Sequence, residues 1–200
     1  MPNRNVETFL RVLDPADNST GGGAASAIAG AMAAALVAMV AHLSIGKERM
    51  EAEVFYRELA TEAETLLVKL FNGGREDVQA FGAVREAYSL PKHTDEQRAE
   101  RRQAIEQAML QAARVPLANG ERCQRVLELC EQLHGRSNPN AASDLKCAIY
   151  LARAGLLGCV ANVEINLPFI KDEALSTELA VRARELREFA VGDGDRAGAG

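Results

Sequence analysis

Two hundred residues are enough for one domain with its own core, without disulfide or metal staples. The 28 acidic and 23 basic side chains leave a net charge of -5, which argues against a nucleic-acid surface but leaves room for a local basic pocket around an anionic small molecule. Tryptophan is absent and aromatics make up only 4 %, while alanine and leucine dominate the apolar set, a composition for packed helices rather than sheets.

Residues 5–13 have the pattern of a short amphipathic helix, followed by a turn-rich loop at 14–23, DPADNSTGGG. The stretch 24–46 carries no acidic or basic residue before Lys47. Its length would span a bilayer, at ~1.5 Å per residue. Its alanine content, with Ser26, His42 and Ser44, favours a helix buried on nearly all sides in a bundle or at an oligomer interface, with His42 as a core histidine.

Residues 48–71 predict a charged amphipathic helix, stopped by Asn72-Gly73-Gly74. A further helix over 75–89 closes at Leu90-Pro91. Thr94 and Gln97 form a capping-box pattern opening a helix to about Arg114, and Pro116 interrupts and restarts the pattern, which runs on to His134. After the loop GRSNPN, Asn140 or Ser143 caps a helix reaching Asn166, and a last helix covers 173–190. The fold expected is all-α, an antiparallel up-and-down bundle of seven or eight helices, forming one domain over 1–190 with a disordered tail at 191–200.

Cys123, Cys130, Cys147 and Cys159 form no CxxC pair and no Cys/His cluster, so buried reduced thiols and no metal are expected. The opening MPNRNVETFL has no apolar run after its charge, which points to the cytoplasm.

Five features could carry chemistry. Gly21, Gly22 and Gly23 precede a helix and could offer backbone N–H groups to an anion or a carbonyl, or serve only as a hinge. Asp77 leads an apolar stripe through Phe81, Val84 and Tyr88, where it could be a first-turn dipole partner or a catalytic carboxylate. The loop Ser137-Asn138-Pro139-Asn140, with Ser143 and Asp144, holds more short polar groups than a helix cap needs. Asn162 and Asn166 share an azimuth with Asp144, but Asp144 and Asn162 stand ~27 Å apart along a straight helix, so a structural role is preferred for the two asparagines. Lys47 and Lys92 sit near helix C-termini, where dipole compensation competes with ligand binding.

In order and spacing, ETFLRVL, GGGAASAIAGAMAAALVAMVAHLSIGK, DVQAFGAVREAYSLPKHTDE, AARVPLA and NPNAASDLKCAIYLARAGLLGCVANVEINL resemble the cyclodeaminase domain of formiminotransferase-cyclodeaminase and stand-alone methenyltetrahydrofolate cyclohydrolases, over roughly residues 5 to 173. The pattern departs around the glycines. Asn18-Ser19-Thr20 replaces the family's Thr-Pro, which should loosen the loop, and Ala24 replaces a frequent serine.

The resemblance implies an all-helical, commonly dimeric enzyme that needs no metal and acts on the N5–N10 bridge carbon of tetrahydrofolate. It points to Asp77 and Asp144 as catalytic and to Gly21, Gly22, Gly23, Lys47, Lys92 and Asn140 as substrate-binding. No separate cofactor is expected; the folate is the substrate. The readings are hydrolysis of 5,10-methenyltetrahydrofolate to 10-formyltetrahydrofolate, deamination of 5-formiminotetrahydrofolate, or a helical folate-binding module without catalysis. The lack of an attached formiminotransferase domain tilts the expectation towards the hydrolase.

Overall fold

The computed structural model describes residues 4–48 and 50–192. They form six α-helices, α1 (Arg4–Val12), α2 (Gly22–Ser44), α3 (Glu53–Ser89), α4 (Asp95–Leu133), α5 (Ala142–Asn166) and α6 (Glu173–Gly192), with single 3-10 turns at Pro139–Ala141 and Leu167–Phe169. No strand occurs among the described residues. Val191 and Gly192, placed in the tail by the sequence, close α6; the rest of that segment, 193–200, lies outside the described residues.

The count is six rather than seven or eight because both expected breaks fall inside helices. Gly73 and Gly74 are buried in the middle of α3. A Cβ on Gly73 would overlap the Asn119 side chain of α4, and one on Gly74 would stand 3.4 Å from the Ala24 carbonyl of α2. Each glycine costs a helix about 1 kcal/mol, and here that cost is offset by letting α2 and α4 approach α3 closely. Pro116 is likewise buried within the 39-residue α4. Its missing N–H strands the Ala112 carbonyl four residues back. Asn166 of α5 supplies the donor instead, its Nδ2 lying 2.9 Å from that oxygen. Asn166→Leu should therefore destabilise the fold by about 1–3 kcal/mol, and adding Pro116→Ala, which restores the N–H, should recover much of the loss in chemical denaturation. Purely additive losses in the double variant would refute this pairing.

The long helices alternate in direction. α2 meets α5 through Gly22 near Asn162 and Ser44 near Asn138, and meets α3 through Gly23 near Asp77 and Gly30 near Leu70. Arg125 of α4 pairs with Glu62 of α3, with Nε and Oε1 2.6 Å apart, while Gly73 lies against Asn119. α2 is the central helix, its Ala24, Ala27, Ala31, Ala34, Ala38 and Ala41 all buried. α2 and the segment Pro139–Phe169 are each long and apolar enough to cross a membrane, but 67 % of the α2 window is buried inside the bundle. α2 is not covered on every side, however: Met32, Met39 and Leu43 are exposed. His42 is not a core residue either; it is half exposed, with a ring nitrogen 3.0 Å from Glu64. Among the cysteines, Cys147 is exposed and the other three are buried.

α3 continues for twelve residues beyond Asp77, ~18 Å at helical rise. That end packs on the start of α4 through a small separate cluster of Val84, Ala87, Ala108 and Met109. The hairpin therefore overhangs the N-terminus of α2 and forms one wall of a recess there. Its turn closes with the expected capping box, in which the Gln97 N–H donates to Thr94 Oγ1 at 3.2 Å.

Candidate active site

The recess is a cavity of about 310 Å³ at the N-terminus of α2. Gly21 is the N-cap of α2 and has no side chain to satisfy the first-turn amides. Asp77 does part of that work from α3: the Ala24 N–H donates to its carboxylate. A Cβ on Gly23 would overlap that carboxylate, which is why glycine stands there. Because α3 runs unbroken from Glu53, Asp77 is not in a first turn of its own helix; the positive helix end it meets belongs to α2.

Burial pushes the Asp77 carboxyl up to about 6, and the hydrogen bond from the Ala24 amide only partly opposes it. Around it stand Phe81 and Val84 of α3, Met109 and Ala112 of α4, and Asn162, Ile165 and Asn166 of α5, with Asn18 and Ser19 at the entrance. Asp77 is the one ionisable side chain among these. Asn162 Nδ2 donates to the Gly158 carbonyl at 2.8 Å, and Asn166 Nδ2 is shared between the Ala112 and Asn162 carbonyls. Both amide hydrogens of Asn166 and one of Asn162 are thus committed to backbone, and the Oδ1 atoms are acceptors the pair can turn to a ligand.

The entrance loop is tied down despite lacking the expected proline. Arg11 Nε lies 2.6 Å from Asp17, the Ser19 N–H donates to Asp17 at 2.8 Å, and Thr20 Oγ1 donates to the Arg11 carbonyl at 3.1 Å. The Arg11 guanidinium and the Ser19 hydrogen bonds hold the Asp17 carboxyl well below the usual range.

Of the residues singled out by sequence, Gly21, Gly23 and Asp77 line the cavity, and Gly22 lies beside them against Asn162. Lys47, Asn140 and Asp144 lie at the opposite end of α2 and α5. Lys92 is exposed in the turn between α3 and α4. Neither Asn140 nor Ser143 caps α5: its N-cap is Ala141, with no side-chain hydrogen bond, and the Pro139 turn before it is capped by Asn138, whose side chain accepts from the Asn140 N–H at 3.1 Å. Asn138 also clamps the C-terminus of α2, donating from its backbone N–H to Ser44 Oγ and from Nδ2 to the Leu43 carbonyl. Asn162 and Asn166, read from sequence as structural, do structural work and also face the cavity. Pro116 was the available signal for Asn166, since a proline inside a helix demands a donor from elsewhere.

The geometry can hold a flat, partly apolar ligand between Phe81, Val84 and Met109, with a carboxylate and helix-end amides at one edge. The model of the formiminotransferase-cyclodeaminase family matches residues 5–185. Methenyltetrahydrofolate cyclohydrolase of Methylorubrum extorquens is 40 % identical over 185 residues, 92 % of this chain and 88 % of that protein. Formimidoyltransferase-cyclodeaminase of Sus scrofa is 30 % identical over 92 % of this chain but only 34 % of that protein, so the chain spans about a third of the length of this animal relative. The crystal structure of formiminotetrahydrofolate cyclodeaminase from Thermotoga maritima superimposes with a TM-score of 0.82 at 28 % identity, covering 94 % of this chain and 91 % of that one.

Proposed function

The chain belongs to the formiminotransferase-cyclodeaminase family, and on that basis we propose that it is an enzyme of one-carbon folate metabolism that hydrolyses 5,10-methenyltetrahydrofolate to 10-formyltetrahydrofolate. The observation that carries the choice of reaction is the 40 % identity, over most of both chains, with a methenyltetrahydrofolate cyclohydrolase. The chemistry of the recess supports it. Its one ionisable group is a carboxyl raised to about 6, so at neutral pH it is a carboxylate of unusual basicity for an aspartate.

The substrate is a cation with positive charge shared over N5, the bridge carbon and N10. Water attacks the bridge carbon as the Asp77 carboxylate takes one of its protons, giving a neutral carbinolamine. The hydroxyl of that intermediate then becomes the formyl carbonyl, the bond from carbon to N5 breaks, and N5 receives a proton. The Asp77 carboxyl is placed to return the proton it took, and the hydroxyl proton goes to solvent, so one proton is released overall. Before attack, the carboxylate also faces the cation as counter-charge. Asn162 and Asn166 offer Oδ1 acceptors to pterin N–H groups, and the first amides of α2 can fix a polar oxygen.

A second reading has its own support. The fold matches a formiminotetrahydrofolate cyclodeaminase over nearly its whole length, and that reaction meets the hydrolysis at the same methenyl cation. We read the protein further as a cytoplasmic homodimer acting without an added cofactor.

Absorbance at the methenyl chromophore separates the cases. The account expects accelerated loss of the band from 5,10-methenyltetrahydrofolate. Growth of the band from 5-formiminotetrahydrofolate, with ammonia release, would assign the deaminase instead. Rates equal to the buffer blank with both would leave a folate-binding module.

A further inference from the structure

Asn18 and Ser19 line the mouth of the recess from the loop between α1 and α2. That loop runs into Gly21, where an added Cβ would meet nothing within 4 Å, so no packing fixes the chain as it enters α2. Asp14, Pro15, Ala16 and Asn18 are exposed. A loop of this make-up samples many positions unless something local orders it.

Arg11, in the last turn of α1, is what orders it. Its guanidinium reaches over the loop in two directions. Nε donates to Asp17 Oδ2 at 2.6 Å, and Nη2 donates to the Ser19 hydroxyl. Asp17 Oδ1 accepts from the Ser19 N–H at 2.8 Å and from the Ser19 hydroxyl. The Arg11 carbonyl accepts from Thr20 Oγ1 at 3.1 Å. The result is a closed ring of polar contacts across residues 11–20. The Asp17 side chain is only 17 % exposed, so water screens this pair less than an open surface pair.

The consequence falls on Asn18, which takes part in none of these bonds. It stands between Asp17 and Ser19, both held, so its backbone is fixed while the ring is closed. The Ser19 hydroxyl is already committed, donating to Asp17 and accepting from Arg11. The Asn18 carboxamide is therefore the polar side chain that this loop can offer to a molecule in the recess.

We propose that Arg11 and Asp17 form a clasp that positions the loop for substrate binding: it holds Asn18 at the mouth of the recess, where the Asn18 carboxamide hydrogen-bonds the bound folate. The ligand then meets a loop that is already ordered, and the entropy of ordering it is not subtracted from affinity. Arg11 and Asp17 are positioning residues that act through Asn18. None of the three reaches the proton chemistry of Asp77, so the clasp governs binding and leaves the chemical step alone. Its part in substrate binding rests on the folate reading; its ordering of the loop does not.

The clasp is tested first without substrate, by hydrogen exchange at the Ser19 amide. Arg11→Ala leaves that amide its acceptor on Asp17 and removes the guanidinium that anchors the acceptor. Exchange should quicken about tenfold or more, while amides in the middle of α2 keep their rates. Arg11→Lys keeps the charge but cannot reach Asp17 and Ser19 together, and should quicken exchange as well. An unchanged rate in either variant would overturn the clasp.

The binding role is tested in turnover of 5,10-methenyltetrahydrofolate. Asn18→Ala and Asp17→Ala should each raise KM about tenfold with kcat within about twofold of the wild type, the sign of lost uniform binding. A merely structural loss would lower kcat and the thermal midpoint together. Because Asp17 acts through Asn18, the two effects should not add, and the double variant should show the KM of the worse single variant. Fully additive effects, an unchanged KM in either single variant, or a kcat that falls as KM rises would overturn the assignment. Should the wild type turn over no folate, the folate reading fails, and the exchange rates still decide the clasp.

Discussion

Asp77→Asn is expected to lower kcat at least ~100-fold, the usual contribution of a general base, while making the folded protein more stable. The two effects share one cause. Burial opposes the charged carboxyl and raises it from 3.8 to about 6. Below 3.8 the carboxyl is protonated in the folded and unfolded chain alike, and its contribution to stability is fully present. As pH rises from about 4 through 6 the unfolded chain gives up the proton more readily than the folded one, and that contribution is lost. At neutral pH the buried charge costs on the order of 3 kcal/mol. Asparagine carries no charge and its Oδ1 can still accept from the Ala24 N–H. The stability gap between variant and wild type, read from denaturant midpoints, should therefore widen between pH 4 and 7. Activity within threefold of wild type would remove Asp77 from the mechanism, and a gap that stays constant with pH would contradict its burial as a charge.

Gly23→Ala should disable the enzyme almost as thoroughly, for a geometric reason. The added Cβ falls on the Asp77 carboxylate. A short side chain can swing away, so the helix tolerates the change, and alanine's better helix propensity returns up to about 1 kcal/mol. What is lost is position: the carboxylate leaves the Ala24 amide and the cavity edge. A fall in kcat of at least ~10-fold, with thermal stability nearly kept, is the expected result. Gly21→Ala is the control, since a Cβ there meets nothing within 4 Å. Full activity in Gly23→Ala, or equal loss in both variants, would show that the close approach of Gly23 to Asp77 is not what places the carboxylate.

How much of this was legible in the sequence depends on whether the deciding partner is local. Thr94 and Gln97 satisfy each other within one turn, and that cap was readable. Asp77 stood out because a charge at the head of an apolar stripe needs a reason. Gly73-Gly74 and Pro116 were misread because their justification lies across the bundle. Asn119 fills the place of one missing Cβ, the Ala24 carbonyl of α2 closes on the other, and Asn166 replaces one missing N–H. The second role of Asn162 and Asn166 was hidden for the same reason, since the cavity they face is walled by α3 and α4. The uncovered side of α2 was invisible because the helix is apolar all round: periodicity can locate a seam only where polar residues mark the other faces. The separation of Asp144 from Asn162 was readable from helical rise alone, and the two residues do lie near opposite ends of α5.

In the proposed reaction the buried Asp77 carboxyl at the N-terminus of α2 acts as the base on the bridge carbon of 5,10-methenyltetrahydrofolate. The most direct measurement is kcat/KM for loss of the methenyl band between pH 5 and 8, corrected for the buffer rate. The account predicts that it rises with an apparent pKa of about 6, levels above it, and that this limb disappears with the activity in Asp77→Asn. A profile flat across that range, or the same limb surviving in Asp77→Asn, would contradict it.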